Sequence, residues 1–148
     1  MDIKLQVNLK AIQNNYLLIK QKARTAQVAS VVKANAYGLG VKQVSQALQQ
    51  VGCDKFFVAN LDEAIELRGY LPDIWIRFFH GIYNKEQIDL CRNYKLTPVV
   101  NNLESLEIIK DIPYILHIDT GMNRLGIDAN CLDQLHKYNL SQHNIEYI

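Results

Sequence analysis

Two stretches of this sequence carry reactive side-chain types onto glycine-bearing turns. In Val31-Val32-Lys33-Ala34-Asn35-Ala36-Tyr37-Gly38-Leu39-Gly40 an apolar pair brings a lysine to the end of a predicted strand. An uncharged lysine amine can add to a carbonyl compound and form an imine, so Lys33 is a candidate for covalent chemistry, with the Tyr37 phenol on the same turn. In His117-Ile118-Asp119-Thr120-Gly121-Met122-Asn123-Arg124-Leu125-Gly126 a second strand runs into a turn. There Arg124 offers a planar, permanently charged fork suited to a carboxylate or a phenolate oxygen. Plainer readings stand beside these: a solvated lysine at a strand end, Tyr37 packed in its turn, and Arg124 in a structural contact with Asp119.

The elements that must position these turns alternate. Asn8 can cap a helix that carries Ile12, Tyr16, Ile19 and Ala23 at helical spacing, after a short extended lead-in over Leu5, Val7 and Leu9. A strand is predicted over Val28 to Lys33 and a helix from Val41 to Val51, stopped by Gly52. A strand over Phe56 to Ala59 leads into a helix over Leu61 to Arg68, broken by Gly69 and Pro72. Ile74 to Phe79 reads as an apolar strand interrupted by Arg77, and Asn84 to Tyr94 as a helix with Ile88 and Cys91 inward. Leu96 to Val100 is the next strand, where Pro98 is expected at an end or a bulge. Leu103 to Ile109 is predicted helical, Tyr114 to Ile118 a strand, Cys131 to Tyr138 a helix, and Ile145 to Ile148 the start of one more strand.

Six strand centres, Val32, Phe57, Phe78, Val99, Leu116 and Ile145, thus alternate with helices, which is the rhythm of parallel βα units. The fold class is α/β. Eight such units close a barrel, whereas an open doubly wound sheet can stop at six. Because Ile148 falls only a few positions into a new strand, the expectation is a partial (β/α)8 TIM-type barrel. It holds about the first five to six units of a longer protein, with residues 1–148 as one incomplete domain. In such barrels reactive side chains collect at the C-terminal ends of the strands, where both turns fall.

Composition narrows the function classes. The 148 residues are 49% hydrophobic and 21% charged, with a formal net charge of +1, which suits a globular domain with a sizeable core. No basic run interleaved with aromatics suggests nucleic acid. The amino terminus lacks a long apolar segment of signal-peptide type, and no apolar run is long enough to span a bilayer, so the expected compartment is the cytoplasm. Cys53, Cys91 and Cys131 are odd in number and have no CxxC spacing, which points to reduced structural thiols.

The first stretch resembles the cofactor-lysine signature of alanine racemases, and His117 to Gly126 resembles their second signature, usually written with a lysine first. Leu61-Asp62-Glu63-Ala64 is similar to the family's segment after the next strand. The resemblance covers essentially the whole chain. It implies a pyridoxal 5'-phosphate enzyme that interconverts L- and D-alanine for peptidoglycan synthesis, with a barrel and a separate C-terminal β domain. Lys33 would hold the cofactor covalently and then move the α-proton on the D face. Tyr37 would donate to the cofactor phosphate, and Arg124 would lie near the phenolic oxygen and the substrate carboxylate. No metal is implied.

Two departures from the family pattern are visible. His117 stands where the family often carries a lysine modified to a carbamate. A histidine lacks that negative charge, so an anion, a water network or another acidic residue would have to face Arg124. Leu39 stands where a histidine is usual. In the family the opposite proton belongs to a tyrosine of the C-terminal domain, supplied by the partner subunit of a homodimer, and no tyrosine here matches its motif. The 148 residues alone are therefore expected to be inactive. The alternatives are a serine or broad-specificity racemase of the same family and a non-catalytic pyridoxal-phosphate-binding barrel protein.

Overall fold

The computed structural model describes residues 3–147. Chain order gives α1 (Leu9–Ala23), β1 (Ser30–Val31), a left-handed turn over Lys33–Tyr37, α2 (Val41–Gln50), β2 (Lys55–Val58), α3 (Leu61–Tyr70), β3 (Trp75–Phe78), α4 (Lys85–Tyr94), β4 (Leu96–Val100), α5 (Glu104–Ile108) and β5 (Tyr114–Leu116). The short strands β6 (Ile118–Asp119) and β7 (Ile127–Asp128) follow. Two 3-10 segments, Ala129–Tyr138 and Leu140–Gln142, then lead to β8 (Ile145–Tyr147).

One parallel sheet contains six strands in the order β1-β2-β3-β4-β5-β8. A doubly wound sheet reverses direction at a switch point, with helices on both faces. Here the order follows the chain without reversal, as in the wall of a barrel. Side chains alternate along it. Phe56 and Val58 on β2, Ile76 and Phe78 on β3, and Tyr114 and Leu116 on β5 are fully buried in the core shared with the helices. From α3 that core takes Ala64 and Leu67, also fully buried.

The opposite, inner face carries Phe57, Arg77, Thr97 and Val99. Arg77, which interrupts the apolar run of β3, is buried there and donates to Glu146 of β8 at 2.7 Å. Its guanidinium lies 4.6 Å from the Trp75 ring and 5.3 Å from that of Tyr147.

Three helix starts, those of α1, α3 and α4, share one device. The side chains of Asn8, Asn60 and Asn84 accept from Ala11, Glu63 and Gln87 N–H groups, each satisfying a donor that the first turn leaves free. Only Asn8 was expected. The second and third carry a readable signal, an Asn followed three residues later by Glu or Gln.

Other expectations change. The helix after β2 runs through Gly69 to Tyr70, because a glycine costs a helix only about 1 kcal/mol and buried Leu67 and Leu71 hold both sides of it. The first strand, Ser30–Val31, is shorter than Val28 to Lys33, and the backbone turns left-handed from Ala34. Leu5 and Val7 lie outside any regular element, and Leu9 opens α1. Pro98 lies inside β4 opposite Phe78, and the ladder to β5 begins one residue later at Val99. Cys131 to Tyr138 winds as a 3-10 rather than an α-helix and has no fully buried residue, so packing does not enforce the α form. Ile148, predicted to continue the last strand, lies outside the described residues. Cys53, Cys91 and Cys131 are free thiols.

Candidate active site

Lys33 sits one residue beyond the N–H of Val32, which still donates to Phe57 O at 2.8 Å and so holds the end of β1 against β2. The chain then makes a turn of unusual hand. Ala34, Asn35, Ala36 and Tyr37 have φ of 51°, 54°, 54° and 55°. Four consecutive non-glycine residues in this region cost about 1–2 kcal/mol each, so surrounding contacts must hold them. Gly38 and Gly40 take positive φ, but the left-handed course begins four residues earlier.

Three ties fix this turn. Glu63, on α3, accepts the Ala34 N–H at 2.9 Å and the Ala59 N–H at 2.7 Å with its two carboxylate oxygens. The Asn35 side chain accepts from Val41 N at 2.7 Å and so caps α2. Buried Ala36 faces the core. The half-buried Lys33 side chain puts its Nζ 5.9 Å from the Phe79 ring and 6.0 Å from that of Tyr37. Phe79 stacks on Phe57 with centroids 5.0 Å apart.

The second turn is built differently. Where a single strand over Tyr114 to Ile118 is expected, β5 ends at Leu116 and Ile118–Asp119 pairs instead with Ile127–Asp128. His117 lies between them. Its N–H donates to Val100 O and its carbonyl accepts from Ile127 N. Its Nδ1 is 2.9 Å from Asn101 Oδ1, while Asn101 Nδ2 donates to Phe79 O, which leaves the oxygen for the histidine N–H.

Asp119 Oδ1 accepts from Gly121 N and Met122 N at 2.9 and 2.8 Å. The Gly121 bond leads the causes that hold this carboxyl below the usual aspartate range; burial opposes it, and the Met122 and Asn123 N–H groups and the nearby His117 add to the lowering. Gly126 is required here. It has φ of 109°, and a Cβ on it would lie 2.8 Å from Asp119 N. The structural Arg124–Asp119 contact does not form: among the described residues the ion pairs are Lys55–Asp54, Arg77–Glu146 and Arg92–Asp89, and Arg124 is exposed.

Both turns open on one cavity of about 620 Å³, whose lining includes Lys33, Tyr37, Phe79, His117, Asp119 and Arg124. It lies at the C-terminal ends of β1, β3 and β5. A second cavity of about 500 Å³, lined in part by Arg68, Trp75, Lys95 and Glu146, lies at the opposite strand ends and includes none of Lys33, Tyr37 or Arg124. An amine, a phenol and a guanidinium around one space form a donor set that suits an anionic, carbonyl-bearing ligand. No group of three or more His, Cys, Asp or Glu able to hold a metal occurs among the described residues. No helix among them is long and apolar enough to cross a membrane.

The sequence model of the alanine racemase N-terminal domain matches residues 7–148. The chain belongs to the alanine racemase N-terminal domain family. Among curated relatives of this family, the alanine racemase of Rickettsia prowazekii is 43% identical over 140 residues, 88% of this chain and 34% of its own length. That of Rickettsia canadensis is 38% identical over 155 residues, 97% of this chain and 43% of its own length.

Solved structures agree. The alanine racemase from Bartonella henselae with covalently bound pyridoxal phosphate is 33% identical with a TM-score of 0.89, covering 96% of this chain and 44% of that one. The biosynthetic alanine racemase from Pseudomonas aeruginosa is 34% identical with a TM-score of 0.83, covering 95% and 40%. The chain therefore spans well under half the length of these alanine racemases, and its sheet is part of the family's barrel.

Proposed function

We propose that residues 1–148 form the N-terminal part of the barrel of a pyridoxal-phosphate-dependent racemase that interconverts L- and D-alanine. The observation that carries this reading is the single cavity lined by Lys33, Tyr37 and Arg124. These residues fit the cofactor: an amine for a covalent link to its aldehyde, a phenol for its phosphate and a guanidinium for its ring oxygen. When bound, pyridoxal phosphate spreads the charge left on an amino acid that loses its α-proton.

The chain's own residues do the rest. Lys33 Nζ would hold the cofactor by its aldehyde and, once free, would take or return the α-proton on the D face. Tyr37 donates its hydroxyl to the phosphate. Arg124 would offer its guanidinium to the phenolic oxygen and the substrate carboxylate. His117 donates to Asn101 and supplies no negative charge to Arg124. Phe79, stacked on Phe57, lies beside the amine. The opposite proton requires a second base, which we assign to a tyrosine from the partner subunit of a homodimer. The names of the curated relatives favour alanine over serine or a broader substrate set. The product would supply cytoplasmic peptidoglycan synthesis.

The test is borohydride reduction of the intact protein followed by peptide mapping. A reduced pyridoxyl group on Lys33, lost together with activity in Lys33→Ala, is the expected result. Label on another lysine, or a reducible cofactor retained by Lys33→Ala, overturns the assignment.

A further inference from the structure

The starts of α3 and α4 make the same cap with one difference. In α4, Gln87 stands three residues after the capping Asn84, and its single side-chain oxygen accepts from Tyr83 N, the residue before the cap, at 2.7 Å. In α3, Glu63 stands three residues after Asn60, and its Oε2 accepts from Ala59 N in the same way. A local cap needs no more than that one oxygen. Glu63 has a second, and Oε1 reaches into the neighbouring βα unit to accept from Ala34 N. Ala34 directly follows Lys33 and is the first residue of the left-handed run. At the start of such a turn its N–H has no partner within the turn, so the contact satisfies a free donor and fixes the point where the backbone changes hand.

We infer that Glu63 is a positioning residue for Lys33. Its carboxylate bridges the turns that follow β1 and β2, sets the backbone that aims the lysine amine into the cavity, and touches neither cofactor nor substrate. The inference rests on the role proposed above for Lys33. Glu63→Gln isolates the bridge, because it recreates the one-oxygen cap that α4 already uses and leaves an amide nitrogen toward Ala34, where an acceptor is needed. Glu63→Ala removes both bonds.

Three readouts on the intact protein test it. Without cofactor, hydrogen exchange of the Ala34 amide speeds up in Glu63→Gln while that of Ala59 stays protected. On addition of pyridoxal phosphate, the covalent link to Lys33, followed by visible absorbance and borohydride trapping, forms roughly tenfold more slowly. Turnover falls by about the same factor with KM nearly constant, since the bridge aims the amine and does not bind substrate. Asp62→Asn, one position earlier on the exposed side of the same helix, leaves all three readouts at the wild-type level.

Wild-type loading and kcat in Glu63→Gln overturn the inference, as does a loss of activity that tracks Tm with the Ala34 amide still protected. Where Glu63→Ala fails to fold, Glu63→Gln carries the test. Wild-type protein unlabelled at Lys33 overturns the functional reading and this inference with it. Labelled wild type with unaffected variants overturns the inference alone.

Discussion

The two turns that open on the cavity solve opposite problems. The Lys33 turn runs through a backbone region that its residues disfavour, and it is held from outside by Glu63 on α3 and by the cap that Asn35 makes on α2. The Arg124 turn is held from within by Asp119, which collects the N–H groups of Gly121 and Met122, and by the short β6–β7 ladder. Lys33 is therefore a side chain with an enforced direction. Arg124 is an exposed side chain on a firm base with no protein anion holding its guanidinium. The roles proposed for them fit this difference: a group that forms and breaks a covalent bond gains most from a fixed backbone, while one that contacts ligand charge can settle once the ligand arrives.

That contrast can be broken from either side. Arg124→Ala is expected to lower kcat by about a hundredfold with little change in cofactor affinity, checked by turnover beside a pyridoxal phosphate titration. Tyr37→Phe, on the first turn, is expected to do the reverse, weakening cofactor binding about tenfold while saturated turnover changes less. If the two variants give the same profile, the division of labour between the turns is wrong.

Asp119 provides a pH test. Its native pKa lies below the unfolded value of about 3.9, so its contribution to stability is complete above that value and is lost as pH falls through the lower native one. Exchange protection of the Gly121 and Met122 amides should survive at about pH 4 and collapse only in stronger acid. In Asp119→Ala it should be absent throughout. The smallest effect belongs to Asn35→Ala, which removes the cap on α2 and puts alanine where asparagine tolerates the left-handed region better. About 1 kcal/mol should be lost, read as a lower denaturation midpoint at unchanged m.

The strand and helix alternation was legible because each unit has a long apolar run or a helical stripe, and Lys33, Tyr37 and Arg124 were legible because they sit in long, distinctive runs. The hand of the first turn was not. Asn35 tolerates a positive φ, but Ala34, Ala36 and Tyr37 give no sign of one, and the contact that holds Ala34 comes from a residue in the next βα unit. Arg77 looked like an interruption in β3 because its partner, Glu146, becomes a neighbour only once β8 has joined the sheet. The β6–β7 ladder escaped notice because two-residue strands carry no alternation to read. Asn60 and Asn84 were findable, each having Glu or Gln three residues on.

The chain-ordered sheet also bears on how the cavity comes into being. Each strand from β2 to β5 lies beside the one synthesised just before it, and β8 joins β5 after the β6–β7 excursion, so a growing polypeptide can lengthen the sheet one unit at a time. The staple from Glu63 becomes available as soon as the second unit docks, which fixes the lysine early. Arg124 arrives on the excursion between β5 and β8. The wall that carries Lys33 is thus assembled before the wall that carries Arg124, and the pocket matures in the order in which its residues leave the ribosome.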